Sequence, residues 1–172
     1  MTHQPRKMSE VIKEMAERLL RNPEGEPSSE AMHVALMFAN FAWNEAVGLG
    51  YPRAGYRRAW EQIEAHNPDL WGEFKSNDVD AQIDELVRFK NQNYPDDQRR
   101  ILTCGIPNGN VRVEWLPPAA PGVDSKAEVR LYGLVRTGAR EQAIHFVQDT
   151  RHVSRTEAAK QVQKIASDLG LR

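Results

Sequence analysis

The sequence contains a single cysteine, Cys104, and no apolar segment long enough to cross a bilayer. One cysteine excludes an internal disulfide. The longest apolar segment is interrupted by charged and amide residues before it reaches the ~20 residues that a membrane helix needs. The first fifteen residues also lack the apolar core and the small-residue cleavage site of a secretory signal. We therefore expect a cytoplasmic chain that does not enter a membrane.

The sequence motifs of common catalytic and cofactor sites are missing as well. There is no phosphate-binding loop, no dinucleotide fingerprint and no serine nucleophile elbow. The histidines have no zinc-ligand spacing with Cys104, and the single Glu30-x-x-His33 pair has no second copy to build a di-iron site. The sequence thus predicts no metal, no cofactor and no catalytic residue, and it predicts that Cys104 is an inert, packed thiol.

The charges are distributed unevenly although the formal net charge is only −1. Residues 126–172 contain nine Lys or Arg against five Asp or Glu, a net charge of +4, whereas the first 125 residues have a net charge of −5. Hydrophobic residues make up 40% and charged residues 27% of the chain, which is typical of a folded globular protein. This division has two interpretations: a solvated face on a small helical unit, or a C-terminal part that meets an anionic surface.

The longest apolar segment, residues 28–47, predicts a buried central helix. Ser28 or Ser29 can cap its first turn, and Gly48 with Gly50 can end it. Apolar residues occur on nearly every side of this helix, so neighbouring elements must surround it.

Hydrophobic periodicity predicts further helices on both sides of this segment. Asn67-Pro68 is a helix-start signal, in which we expect Asn67 to cap the helix that follows. Asn108-Gly109-Asn110 lies between two alternating segments and predicts a β-hairpin. The other predicted helices cover residues 9–21, 56–65, 68–74, 78–91, 127–136, 139–150 and 155–169.

The proline-rich segment 117–126 is typical of a semi-stiff connector between domains. It separates a helical domain with a C-terminal hairpin, residues 1–116, from a small basic helical unit, residues 127–172. The predicted fold class is mainly α: an orthogonal helical domain with one short β-hairpin, followed by a small αα-hairpin unit.

Residues 134–162, LVRTGAREQAIHFVQDTRHVSRTEAAKQV, carry a family resemblance. Over about residues 128–165 the chain resembles the helix-turn-helix segment of the bacterial ribosomal stalk protein's C-terminal domain, which also occurs as an appendage in small bacterial proteins. In the stalk protein this region is the contact surface for translation factors, so the resemblance implies a protein-binding role for the basic helix face. The matching positions are Gly138, Ala143, Ile144, Thr150, Glu157, Ala158 and Val162.

From the resemblance and the charge pattern we expect a non-enzymatic accessory or regulatory protein that binds a protein partner. The sequence does not fix its oligomeric state. The expected partner-binding residues are Arg136, Arg140, Arg151, Arg155, Lys160 and Lys164.

Two alternatives use the same C-terminal helices. In the first, residues 155–166 form the recognition helix of a nucleic-acid-binding helix-turn-helix. The residues available to phosphates and bases are then Arg155, Thr156, Lys160, Gln161 and Lys164. In the second, Arg140 and His145 act as the Arg-x4-His pair of a metal-independent helical ribonuclease. A third candidate surface lies near residue 55, where the sequence has an aromatic and basic patch of Arg53, Arg57, Arg58 and Trp60. Aromatic residues at helical spacing typically belong to the core, and the alternative is that this patch stacks a base or binds a peptide.

Overall fold

The structure is a computed structural model that describes residues 6–21, 26–50 and 52–171 of the chain. It is mainly helical, and its described residues contain one two-stranded antiparallel hairpin, which confirms the predicted fold class. The chain divides into two compact units, Met1–Pro117 and Pro118–Arg172. Across the described ranges, no helix has the length and apolar character needed to cross a membrane.

Two helices, α1 (Met8–Leu19) and α2 (Ser29–Asn44), form the centre of the first unit. The Ser28 hydroxyl accepts the backbone N–H of Ala31 at 3.1 Å, which confirms the predicted N-cap of the central helix. α2 packs against α1, α4 and β1, so it is enclosed on several sides as its composition predicts. The largest buried side chains of α2 are Leu36, Phe38 and Trp43.

The central helix does not end abruptly at the glycines. Its last turn widens into a π-helical segment, Glu45–Leu49, in which Gly48 has a φ of +84°. A left-handed backbone is inexpensive for glycine, so Gly48 can reverse the chain direction there as the sequence predicts.

Three further helical segments complete the helical part of this unit. They are α3 (Arg53–His66), a 3₁₀ segment (Pro68–Glu73) and α4 (Val79–Asn93). The prediction that Asn67 caps the 3₁₀ segment is wrong, since its side-chain oxygen accepts no N–H group of that segment. Its side-chain nitrogen donates to Glu30 Oε2 at 2.9 Å. The Asn67 side chain is thus held by a residue distant in the sequence, and sequence spacing does not reveal such a contact.

The hairpin pairs β1 (Arg100–Gly105) with β2 (Arg112–Leu116), and Arg100 lies opposite Leu116. Asn108 and Gly109 in the connecting turn have φ values of 53° and 79°. Both residues therefore adopt the left-handed conformation that favours Asn-Gly in tight hairpins. The strands pack against α1 and α2, which give this two-stranded ribbon the support that it needs.

The second unit consists of α5 (Ser125–Arg136), α6 (Arg140–Arg151) and α7 (Arg155–Asp168). α5 begins two residues earlier than predicted because the Asp124 carboxylate caps it by accepting the N–H groups of Lys126 and Ala127. The three helices share their own small core, which indicates a separate packing unit. Its buried residues are Leu131, Val135, Ala143, Ile144, Val147, Ala158, Val162 and Ile165.

Candidate functional site

The turn between α6 and α7 is short. His152 lies in the left-handed region with a φ of 52°, and the Ser154 hydroxyl accepts the N–H of Glu157 at 3.2 Å. His152 thus takes the conformation that glycine supplies in many helix-turn-helix segments. The Glu157 carboxylate accepts a bond from the Gln161 side chain at 3.5 Å instead of completing a capping box with Ser154.

Schellman motifs end α5 and α7. The N–H of Ala139 donates to Leu134 O at 2.9 Å across Gly138, and the N–H of Leu171 donates to Ala166 O at 2.9 Å across Gly170. The first motif redirects the chain directly into α6. It brings the C-terminal end of α5 and the N-terminal end of α6 to the same side of α7.

At this place two adjoining cavities, of about 580 and 330 Å³, form what we call the basic groove. Arg140 and Gln163 line both of them, so the groove is continuous along one face of α7. Apolar side chains form its floor and cations its rim, and no acidic residue of the described chain lines it. The lining residues are Val135, Arg136, Gly138, Arg140, Arg155, Thr156, Ala159, Lys160, Val162, Gln163, Ala166 and Leu171.

Four of the six residues expected to bind a partner line the basic groove. Arg155 is paired with Glu141 across exposed surface, at 2.6 Å. Neither Arg140 nor Lys160 has an ion pair with any described residue, so their charges are available to a ligand. The four groove residues are Arg136, Arg140, Arg155 and Lys160.

The other two expected residues lie outside this lining. Arg151 is exposed and donates to Gln161 Oε1 at 2.6 Å, and Lys164 is exposed on α7. Sequence reasoning missed Ala159, Gln163 and Leu171, although Ala159 follows Thr156 at the i+3 spacing and Gln163 follows Ala159 at the i+4 spacing of one helix face.

The residues of the ribonuclease alternative, Arg140 and His145, are both exposed on α6. At 100° per residue they point about 140° apart around the helix axis. This separation does not direct the two side chains toward one scissile phosphate.

The predicted aromatic and basic patch of residues 53–60 is taken up by internal contacts. Trp60 is only 5% exposed, and its ring lies edge-on to Trp71 in the core. Arg53 bonds to Glu45 and Asp84, and these carboxylates raise the pKa of its guanidinium. Arg57 pairs with Asp80 at 2.6 Å, whereas exposed Arg58 donates to Ala54 O of its own helix. The charges of this surface are thus largely neutralised by neighbouring carboxylates.

Cys104 packs against the core, whereas His33 lies on the surface. The Cys104 thiol lies 3.3 Å from Leu36 O, and burial raises its pKa to about 11, so it is a poor nucleophile. His33 is exposed and its Nδ1 lies 2.7 Å from Ser29 O of its own helix. No group of three or more His, Cys, Asp or Glu side chains in the described ranges is placed to hold a metal ion.

No family model, no curated protein and no solved structure matches the chain. The likeness to the stalk segment therefore depends on its seven matching positions alone. Four of these, Ala143, Ile144, Ala158 and Val162, are buried in the core of the second unit. Packing of a tight three-helix unit accounts for small and apolar residues at those four places without a common function.

Proposed function

We propose that this chain is a non-enzymatic accessory or regulatory protein whose basic groove binds an acidic, amphipathic helical segment of a protein partner. The observation that carries the proposal is the lining of the groove, where apolar side chains lie beside four cations and no described acidic residue is part of the lining. One of the cations, Arg155, is paired with Glu141 outside the lining, whereas Arg140 and Lys160 have no ion pair with any described residue. A helix with Asp or Glu beside an apolar stripe complements both properties.

The apolar floor favours a protein over a nucleic acid. Phosphates and base edges require polar contacts, and the floor residues Val135, Ala159 and Ala166 offer none. Apolar burial would instead supply part of the affinity for an amphipathic helix.

Nucleic-acid binding is the second candidate function, and the left-handed His152 supports it. This conformation gives α6 and α7 the short turn of a DNA-binding helix-turn-helix, with α7 as the recognition helix. Exposed Lys164 would contribute to phosphate contacts in that case, although it lies outside the groove lining.

Charge reversal separates these candidates in the full-length chain. The tagged protein is used for a pull-down from its native lysate after nuclease treatment, and the recovered partner is purified and titrated. The test variant is Arg140→Glu/Lys160→Glu, and the matched control is Lys126→Glu/Lys164→Glu, which changes the net charge equally at exposed sites off the groove. We expect the test variant to weaken binding by about tenfold or more and the control to retain it.

Two outcomes would contradict the protein-binding proposal. One is equal loss of binding in both double variants, which would indicate a diffuse charge effect. The other is recovery of RNA or DNA whose removal by nuclease abolishes every interaction, which would favour the second candidate function. Affinity for nucleic acid would then fall steeply with salt.

A further inference from the structure

A second groove lies wholly within the first unit, between the N-terminal end of α1 and the strand β2. It has a volume of about 650 Å³, within the range of roughly 300–1,000 Å³ typical of ligand clefts. We call it the hairpin groove. Its lining includes four cations, Arg6, Lys7, Arg99 and Arg112, and no acidic residue of the described chain.

One wall of the hairpin groove is an aromatic platform. Val113 and Trp115 of β2 lie at alternate positions with Val111, which directly precedes the strand, and all three line the groove. The two valines pack against the core, whereas Trp115 is 45% exposed. The Arg99 guanidinium lies 5.1 Å from the centre of the Trp115 ring, so one face of the indole is already supported by a cation.

The cations of the hairpin groove differ in their availability. Arg6 pairs with Glu14, and Arg99 pairs with Asp97. Lys7 and Arg112 are exposed and have no ion pair with any residue that the structure describes. Two positive charges therefore face the groove without a neutralising carboxylate.

The start of α1 adds a further anion-binding feature. Met8 and Ser9, its first two residues, line the groove, and Lys7 at the N-cap provides no side-chain acceptor for their N–H groups. The first N–H groups of a helix and its dipole favour a bound anion such as a phosphate. The platform, the free cations and this helix end occupy one cavity.

We propose that the hairpin groove binds a nucleotide unit, with the base stacked on Trp115 and the phosphate held by Lys7, Arg112 and the start of α1. A planar base and an anionic phosphate are what these two parts of the cavity recognise together. The unit can belong to a single-stranded nucleic acid or to a free nucleotide. The site is separate from the basic groove, so the proposal stands independently of the proposed function.

A membrane surface is a poorer match for the same residues. Trp115 is the only large hydrophobic side chain of the first unit that is exposed among the described residues. One ring in a concave groove offers little apolar area to insert among lipid chains. An acidic peptide would satisfy the cations but would not require an aromatic platform.

The test uses the full-length chain and a fluorescently labelled ten-residue oligouridylate, measured by anisotropy at low salt. Uridine monophosphate and a ten-residue poly-glutamate peptide are unlabelled competitors. We expect Trp115→Ala to weaken oligonucleotide binding about tenfold, the size typical of losing one stacked base. Lys7→Ser and Arg112→Ser should each lower the salt slope by about 0.7, as expected for one phosphate contact to a single strand.

Two matched variants complete the design. Trp115→Phe keeps an aromatic platform and should retain most of the affinity. In the wild type we expect the bound base to quench the fluorescence of exposed Trp115, and this quenching should be absent in Trp115→Phe. Lys126→Ser removes an exposed cation that lines neither groove and should bind the oligonucleotide like the wild type. Unchanged melting temperatures of all variants would exclude misfolding as the cause of any loss.

Each result bears on the proposal. If uridine monophosphate displaces the labelled oligonucleotide at a concentration similar to that of the oligonucleotide, the result supports a free nucleotide as the ligand. If a much higher concentration of uridine monophosphate is needed, the result supports a single strand. The proposal is overturned by no binding at low salt or by binding that Trp115→Ala leaves intact. Equal competition by poly-glutamate, or a loss of binding in Lys126→Ser equal to that in Lys7→Ser and Arg112→Ser, would overturn it as well.

Discussion

The side chain of Asn44 hydrogen-bonds both backbone groups of Ile101. Its oxygen accepts the Ile101 N–H at 2.9 Å, and its nitrogen donates to the Ile101 carbonyl at 2.9 Å. Asn44 is buried at the end of α2, and it therefore pairs with β1 as a neighbouring strand would. This contact fixes the hairpin against the central helix.

Replacing Asn44 with leucine, which has a similar size, should destabilise the protein by about 2–4 kcal/mol, because it leaves two buried backbone groups without partners. Urea unfolding followed by circular dichroism measures the loss. Asn40→Ala is the control, since it removes only the 3.0 Å bond between the two asparagines and should cost roughly 0.5–1.5 kcal/mol. Equal costs for the two variants would contradict this account.

Trp43 and Phe41 differ in burial although only two residues separate them. Trp43 is fully buried and donates its indole N–H to Arg99 O at 2.7 Å, whereas Phe41 is half-buried and stacks on Tyr56. Trp43→Ala should cost about 3–5 kcal/mol of unfolding free energy, and Phe41→Ala clearly less. Thermal melting measures the stability of both variants. A smaller loss of stability for Trp43→Ala than for Phe41→Ala would contradict the placement of α2.

Cys104 should make stability fall at alkaline pH. Burial raises its pKa to about 11 in the folded state, so between pH 9 and 11 only the unfolded chain loses this proton. The free energy of unfolding therefore decreases as pH rises, by about 2–3 kcal/mol at pH 11. The measured quantity is the stability difference between wild type and Cys104→Ala from pH 8 to 11, in which the contributions of the other titrating groups cancel. A constant difference would contradict the prediction.

His152 occupies a left-handed position that is costly for a residue with a Cβ atom. His152→Gly should therefore raise the stability of the second unit by about 0.5–1 kcal/mol. Asp149→Gly is the control, since that residue is exposed within α6 and should lose about 1 kcal/mol. Chemical denaturation of residues 118–172 gives both values, and destabilisation by His152→Gly would refute the interpretation.

The division after Pro117 predicts that each unit folds independently. A fragment of residues 1–117 should unfold cooperatively, because its core cluster draws on α1, α2 and the hairpin. A broad, non-cooperative transition in this fragment, with a cooperative one in the full chain, would show that the units depend on each other for stability.

Local patterns predicted most of the helices because their apolar positions repeat at the helical period. The Ser28 cap and the Asn-Gly turn were also predictable, since the Ser28 hydroxyl bonds a residue three positions away and the turn is specified by two adjacent residues. Asn67 was misjudged because its acceptor, Glu30, lies 37 residues away in the sequence. Hydrogen bonds between residues that are distant in the sequence produce no periodic pattern from which they could be predicted.

The sites show the same limit. The basic groove was partly predictable, since Arg136, Arg140, Arg155 and Lys160 fall within one charged segment. The hairpin groove was missed, because it joins residues near positions 6–9 to residues 99 and 107–115. Its only sequence signal was the alternation that ends in Trp115.

The pairing of Asn44 with Ile101 also bears on aggregation. A two-stranded ribbon exposes unpaired backbone groups along its outer edges, and such edges recruit strands from other molecules. The groups of Ile101 that would serve as that template are already occupied by Asn44. Asn44 therefore acts as an intramolecular block to strand addition, and its loss should expose a surface through which copies of this chain assemble into β-rich aggregates.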